Sequence, residues 1–106
     1  MYCLIVWDKE LAAMGQDGCL DKVEIPKDLA HFFFQLDAEE FPALSSLSFD
    51  DYDMFSTSQM DSLVTELFAA AHIEPRLLSS IEAMVEKILE AKSLRKSVLF
   101  DPFRIS

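Results

Sequence analysis

The sequence predicts an α+β domain in which a small sheet, built from N- and C-terminal strands, packs against about three helices. Three observations support this class. An apolar run at residues 2–7, YCLIVW, and a second at residues 97–100, SVLF, are both typical of buried strands. Between them, apolar residues recur at helical spacing. The length of 106 residues fits a single domain over residues 1–106.

Turn signals divide the first part of the chain. Residues 9–17 follow no clear pattern. Asp17-Gly18 is a typical turn dipeptide, and apolar residues alternate with charged ones after it. A second strand is therefore predicted near residues 19–25.

A short amphipathic helix is predicted over residues 27–36. Pro26 suits the first turn of a helix, and the apolar residues that follow keep the i, i+3, i+4, i+7 spacing. Phe34 falls outside this apolar stripe. The next segment, residues 37–55, has no periodic pattern and is predicted to be irregular.

Two longer helices are predicted in the second half of the chain. Ser56 and Gln59 have the spacing of a capping box, which indicates a helix start. Pro75 suits the first turn of the next helix, which is predicted to run to about residue 92. The residues expected to face the core are Met60, Leu63, Val64, Leu67, Phe68 and Ala71 in one helix and Leu77, Leu78, Ile81, Met84, Val85, Ile88 and Leu89 in the other.

Negative charge is concentrated in the first half of the chain, and the net charge is −10. Residues 1–53 hold twelve acids and three lysines, whereas residues 54–106 hold seven acids and six basic residues. Residues 37–53 contain six acids and no base. Because phosphate groups and anionic membranes attract Lys and Arg, this composition argues against direct nucleic-acid binding and against membrane binding.

No cofactor, metal or catalytic site is predicted. Asp51 and Asp53 match the first two ligands of a calcium loop, but Phe55 occupies the third ligand position. Cys3 and Cys19 lack the paired spacing of zinc ligands and are too few for a disulfide scaffold, so free thiols are expected. The sequence contains no Gly-rich phosphate loop. The chain is therefore expected to be a binding protein and not an enzyme.

The predicted binding surface is the acidic segment. A basic partner would relieve the repulsion among its carboxylates, and an aromatic residue set among polar groups is a typical interface anchor. The predicted binding residues are Asp37, Glu39, Glu40, Asp50, Asp51, Tyr52 and Asp53. A second acidic line at i, i+4, i+8 is either a solvated face or an alternative interface, and it comprises Glu82, Glu86 and Glu90.

Part of the chain resembles a group of small bacterial immunity proteins. The likeness is most specific over residues 41–68 and includes the two terminal strands in outline. Its residues are Phe41-Pro42-x-Leu44, the acidic turn that follows, Phe55-x-x-x-Gln59, Leu63 and Glu66-Leu67. These relatives tend to place a glycine in the acidic turn, where this chain has Asp51.

The resemblance implies a non-catalytic inhibitor. Such proteins accompany polymorphic toxins, including those of contact-dependent growth inhibition. The implied partner is the C-terminal domain of a cognate toxin, a basic nuclease domain, met in the cytoplasm. The apolar run that ends at Trp7 is too short for a signal peptide or a membrane span, in line with that location.

Two alternatives remain open. The chain could be an adaptor or subunit of a larger assembly, with Phe34 and Phe103 as apolar anchors. It could also be an acidic mimic of nucleic acid that occupies a DNA- or RNA-binding protein.

Overall fold

Four antiparallel strands form one sheet in the computed structural model, which describes residues 1–105; Ser106 lies outside the described residues. The strands are β1 (Cys3–Trp7), β2 (Cys19–Glu24), β3 (Asp53–Phe55) and β4 (Ser97–Asp101). The helices are α1 (Lys9–Ala13), α2 (Lys27–Phe34), α3 (Met60–Ile73) and α4 (Leu78–Leu94). The order across the sheet is β2-β1-β4-β3, so the strands from opposite ends of the chain form its central pair. The predicted α+β class is confirmed.

Both faces of the sheet carry apolar clusters, because successive side chains of a strand point to opposite faces. The helix-covered face contributes Leu4, Val6, Val98 and Phe100 to the main core. The opposite face carries a smaller cluster of Cys3, Ile5 and Leu99, with Trp7 and Cys19 packed against it. Arg104, near the C-terminal end, pairs with Asp17 and Asp101.

The turn before β2 lies at Met14 and Gly15, so the prediction of a turn at Asp17-Gly18 is wrong, although β2 begins directly after Gly18 as predicted. A Cβ atom at Gly18 would lie 2.6 Å from the carbonyl oxygen of Asp8, so only glycine fits this close approach. The register between β1 and β2 shifts at this point, which leaves Leu20 unopposed in a bulge. A bulge and alternating charges on an edge strand discourage pairing with other chains.

The starts of α3 and α4 follow the sequence signals, whereas α1 was not predicted. The side chain of Asp8 accepts hydrogen bonds from two backbone N–H groups and caps α1, in the segment without a clear pattern. The capping box of Ser56 and Gln59 is present and opens the turn Thr57–Gln59, which continues into α3. The turn Pro75–Leu77 continues into α4 in the same way.

Three predicted core positions are wrong. Phe68 on α3 is 45% exposed, and Leu78 and Leu89 on α4 are also exposed. The other predicted positions on these two helices are buried, except Val64, which is half-buried. The elements packed against each helix cover a narrower arc than its apolar stripe, and the residues at the stripe edges stay in solvent.

The segment predicted to be irregular contains two short elements. The turn Leu44–Ser46 places Leu44 in the core, and β3 pairs with β4 at the sheet edge. Three residues of alternating character give too weak a pattern for β3 to be predicted, and its pairing with β4 is what holds it as a strand. No helix among residues 1–105 is long and apolar enough to span a membrane.

Candidate protein-binding surface

An aromatic cluster lies next to the starts of two acidic stretches, residues 37–40 and 50–53. The rings of Phe34 and Phe49 are 4.7 Å apart and edge-on, and the ring of Tyr2 lies 5.4 Å from that of Phe49. Asp37 follows Phe34 by three residues, and Asp50 directly follows Phe49. Both acidic stretches are therefore tethered to the same cluster. Phe34 is half-buried in it, so only part of its ring remains available as the apolar anchor that the adaptor alternative expects.

Glu66, on α3, binds the backbone of the segment that lies between the two acidic stretches. Its carboxylate accepts hydrogen bonds from the backbone N–H groups of Ala43 (3.1 and 3.2 Å) and Leu44 (3.0 Å). Only 8% of Glu66 is exposed. The carboxylate caps a turn that has no side-chain cap of its own, and it thereby holds residues 43 and 44 against α3.

The predicted binding residues differ in exposure. Those exposed to solvent are Asp37, Glu39, Glu40, Asp50, Asp51 and Tyr52. Asp53 is only half-buried, because it lies on β3 opposite Phe100 and so shares the helix-covered face of the sheet. The structure therefore brings six of the seven residues to the surface and turns the seventh partly inward.

Ion pairing is absent among these acids but only partial among the others, of which Glu10, Glu24, Glu66, Glu82 and Glu86 also lie in no ion pair within residues 1–105. Within residues 1–105, none of the six acids between Asp37 and Asp53 lies in an ion pair. Acids elsewhere do pair with Lys or Arg, namely Asp8, Asp17, Asp21, Asp28, Asp61, Glu74, Glu90 and Asp101. The fold thus neutralises many of its acids locally and leaves the acidic segment uncompensated.

The ionisable groups of Asp53 and Tyr2 influence each other electrostatically without a hydrogen bond between them. Burial raises the pKa of Asp53, the charge of Asp51 adds to that shift, and the backbone N–H of Ser48 opposes it. Burial, followed by the charge of Asp53, also raises the pKa of the Tyr2 hydroxyl. Neither the Tyr2 hydroxyl nor Oδ2 of Asp53 has a hydrogen-bond partner in the described chain. Because Tyr2 is buried and Asp53 half-buried, these two residues are less available to a partner than the exposed acids are.

An exposed aromatic pair borders the acidic turn. The rings of Tyr52 and Phe103 are 5.3 Å apart in an edge-on arrangement, and the two residues are 52% and 51% exposed. Met54, on edge strand β3, is also exposed. The sequence pointed to Tyr52 as part of this surface but missed Met54, since no strand was predicted there. The pairing of Phe103 with Tyr52 depends on how the C-terminal residues leave β4, for which the sequence has no local signal.

The alternative acidic line on α4 is less uniform. Glu82 and Glu86 are exposed, whereas Glu90 is half-buried and lies 3.8 Å from the ammonium of Lys87. Two free carboxylates one helical turn apart are the ordinary composition of a solvated helix face.

The groups that could support catalysis or bind a metal are dispersed. Among residues 1–105, no three His, Cys, Asp or Glu side chains are grouped to hold a metal ion. Cys3 is fully buried, and burial raises the pKa of its thiol, which disfavours the nucleophilic thiolate. His31 packs edge-on against Phe49, and His72 lines an apolar cleft with Phe68.

Compared with known proteins, the chain matches no family model, no curated protein and no solved structure. Functional inference therefore rests on the chemistry of the surface itself.

Proposed function

We propose that this chain is a cytoplasmic immunity protein that binds and neutralises the C-terminal domain of a cognate bacterial toxin, a basic nuclease domain. One observation supports this function best: the acids between Asp37 and Asp53 lie at one aromatic cluster without an ion pair among residues 1–105. The proposed role is non-catalytic, since inhibition needs only that the acidic surface cover the toxin.

The charge arrangement suits a cationic partner. Uncompensated carboxylates repel one another and lower the stability of the free protein, and a basic surface brought against them reverses the sign of that energy. Charge complementarity of this kind raises the association rate and excludes partners of the wrong charge. A nuclease groove that binds phosphates is a basic surface with the required sign.

The composition of the surface resembles that of protein interfaces. Tyr52, Phe103 and Met54 offer exposed apolar area next to the acidic turn. Aromatic residues and methionine are enriched at interface centres, where they contribute most of the affinity. The acids around them would form a polar rim that sets orientation and partner choice.

The test uses the protein domain encoded immediately upstream of this chain, which the proposal expects to be the toxin domain. Purified protein is expected to bind that domain and inhibit its nuclease activity. The double variant Asp50→Lys/Asp51→Lys is expected to bind more weakly, because it places two like charges against the basic partner. Asp53 is left unchanged since it is half-buried and its reversal would disturb β3.

A matched control changes the same amount of charge elsewhere. The variant Glu82→Lys/Glu86→Lys reverses two exposed acids on α4 and is expected to bind as the unmodified protein does. If the α4 variant loses binding and the Asp50/Asp51 variant keeps it, the interface is on α4. If the toxin domain does not bind at all, the immunity function is rejected.

The adaptor or subunit alternative has its own supporting feature. An apolar cleft of about 310 Å³ between α3 and α4 is lined by Phe68, Ala71, His72, Pro75 and Leu78. A partner held there would bind with little dependence on salt, unlike a partner held by the acidic surface. The nucleic-acid mimic predicts a partner that binds DNA or RNA but is not a toxin nuclease, and plain duplex DNA would displace the chain from it.

A further inference from the structure

A second cleft, at one end of the sheet, is lined by more basic than acidic residues. It has a volume of about 340 Å³ and lies where β1 ends, β4 begins and the turn before α3 starts. Its lining residues are Trp7, Asp8, Lys9, Glu10, Ser56, Thr57, Ser58, Arg95, Lys96 and Ser97. Three of the nine Lys and Arg residues of the chain thus line one cleft of a protein whose net charge is −10.

The cations of this cleft are only partly neutralised. Lys96 pairs with Asp8 at 3.2 Å, but neither Lys9 nor Arg95 lies in an ion pair within residues 1–105. The backbone N–H of Leu11, the Lys96 ammonium and the N–H of Glu10 together hold the pKa of Asp8 below its usual range. The charge of Asp8 is therefore already compensated. Glu10 is the other acid of the lining, and Lys9 and Arg95 outnumber it.

The backbone at Arg95 is unusual for an arginine. Its φ of 57° and ψ of 38° are left-handed, and it directly follows α4. The N–H of Lys96 donates to the carbonyl of Ala91 (2.9 Å) and that of Arg95 to the carbonyl of Lys92 (3.1 Å), which is the helix-ending motif that glycine favours. An arginine stands where glycine would be less strained, and strained positions often carry functional side chains.

Another role for these cations explains only part of the arrangement. Arg95 and Lys96 near the end of α4 complement the helix dipole. That role does not account for Lys9, which belongs to α1 and lies in no ion pair within residues 1–105.

We propose that this cleft binds the phosphoryl group of a small phosphorylated molecule, with Lys9 and Arg95 as its cationic ligands. The planar guanidinium of Arg95 matches two oxygens of a phosphate, and the Lys9 ammonium supplies a second charge. The hydroxyl of Ser58 lies 3.0 Å from that of Ser56 and would have to turn away from it to donate to a third oxygen. The half-buried indole of Trp7 forms an apolar wall, against which an organic group attached to the phosphate would pack. This site is independent of the proposed immunity function.

The experiment is a titration of the full chain with inorganic phosphate, followed by amide NMR shifts at constant ionic strength. We expect saturable shifts at residues 9, 58 and 95, and none of comparable size with chloride. The variants Lys9→Ala and Arg95→Gly are expected to bind phosphate roughly tenfold more weakly or worse, the loss that follows removal of one charge-assisted hydrogen bond.

Two controls separate this site from non-specific attraction to cations. Lys22→Ala removes an exposed lysine on β2 that lies in no ion pair among residues 1–105, and it is expected to leave phosphate binding unchanged. Arg95→Gly is expected to raise the denaturation midpoint while it weakens binding, so weaker binding cannot be attributed to unfolding.

Further ligands identify the source of the phosphate. Tighter binding of a nucleoside monophosphate than of inorganic phosphate would support a phosphorylated organic ligand that also contacts Trp7. Equal binding of the nucleoside without its phosphate would overturn the proposal. So would the absence of saturable shifts at the cleft, equal shifts with chloride, or unchanged binding in both the Lys9 and Arg95 variants.

Discussion

Glu66 illustrates how one side chain links the fold to the proposed surface. It is a buried acid on α3, and its carboxylate accepts hydrogen bonds from the backbone N–H groups of Ala43 and Leu44. Helical periodicity could not show that this acid is buried. That depends on backbone N–H groups more than twenty residues away in the chain.

Glu66→Ala is expected to lower the free energy of unfolding by about 2–3 kcal/mol, because it leaves two N–H groups without their acceptor. Glu66→Gln keeps one acceptor oxygen and is expected to lose less. Denaturant unfolding measures both changes. Glu82→Ala, at an exposed position, serves as the control and is expected to change stability by less than about 0.5 kcal/mol. An equally small effect at Glu66 would contradict its assigned role.

Asp53 gives a pH-dependent prediction at the same scale. Its pKa is raised above the ordinary value of 3.8, so over the interval between the two values the folded chain holds a proton that the unfolded chain releases. Stability is therefore lost as pH rises through the folded pKa. Asp53→Asn cannot ionise, and its stability relative to the unmodified protein is expected to improve from acid to neutral pH. Unfolding measured at both ends of that range tests this, and a pH-independent difference would argue against the burial of the charge.

At the scale of elements, local signals in the sequence predicted where α3 and α4 begin, but not which of their apolar residues are exposed. The capping box at Ser56 and the proline at Pro75 depend on neighbouring residues alone, and both signals are confirmed. The exposure of Phe68 and Leu78 was not predictable, because apolar periodicity does not show how much of a stripe a neighbouring element covers. The three residues of β3 are a strand only because β4 pairs with them.

The end of α4 carries a prediction about strain. A left-handed residue other than glycine costs roughly 1 kcal/mol, so Arg95→Gly is expected to raise the free energy of unfolding by about that amount. Thermal or denaturant unfolding measures the gain. Arg76→Gly, which alters an arginine in the turn Pro75–Leu77, is the comparison and is expected to give no such gain. A loss of stability in Arg95→Gly would mean that the arginine side chain contributes more than its backbone costs.

At the scale of the whole molecule, charge is distributed unevenly over the surface. Ion pairs neutralise acids on α3, α4 and the strands, whereas the acidic segment at residues 37–53 has none within residues 1–105. The sequence already indicated this imbalance from composition. It could not show that α2 and the chain before β3 meet at one aromatic cluster, which places both acidic stretches together.

This imbalance predicts the kinetics of binding. The association rate with the basic toxin domain is expected to fall steeply as salt is added, while the dissociation rate changes little, because steering acts before contact. Stopped-flow measurements over a range of ionic strength would show this. An association rate that is independent of salt would instead favour an apolar interface such as the cleft near Phe68.

The most direct test maps the surface that the partner covers. Amide hydrogen exchange of this chain, alone and bound to the toxin domain, would locate the interface without any substitution. The proposed function predicts protection at residues 37–40, 50–54 and 103 and unchanged exchange along the exposed side of α4. Protection confined to α4, with residues 37–54 exchanging as in the free protein, would contradict it.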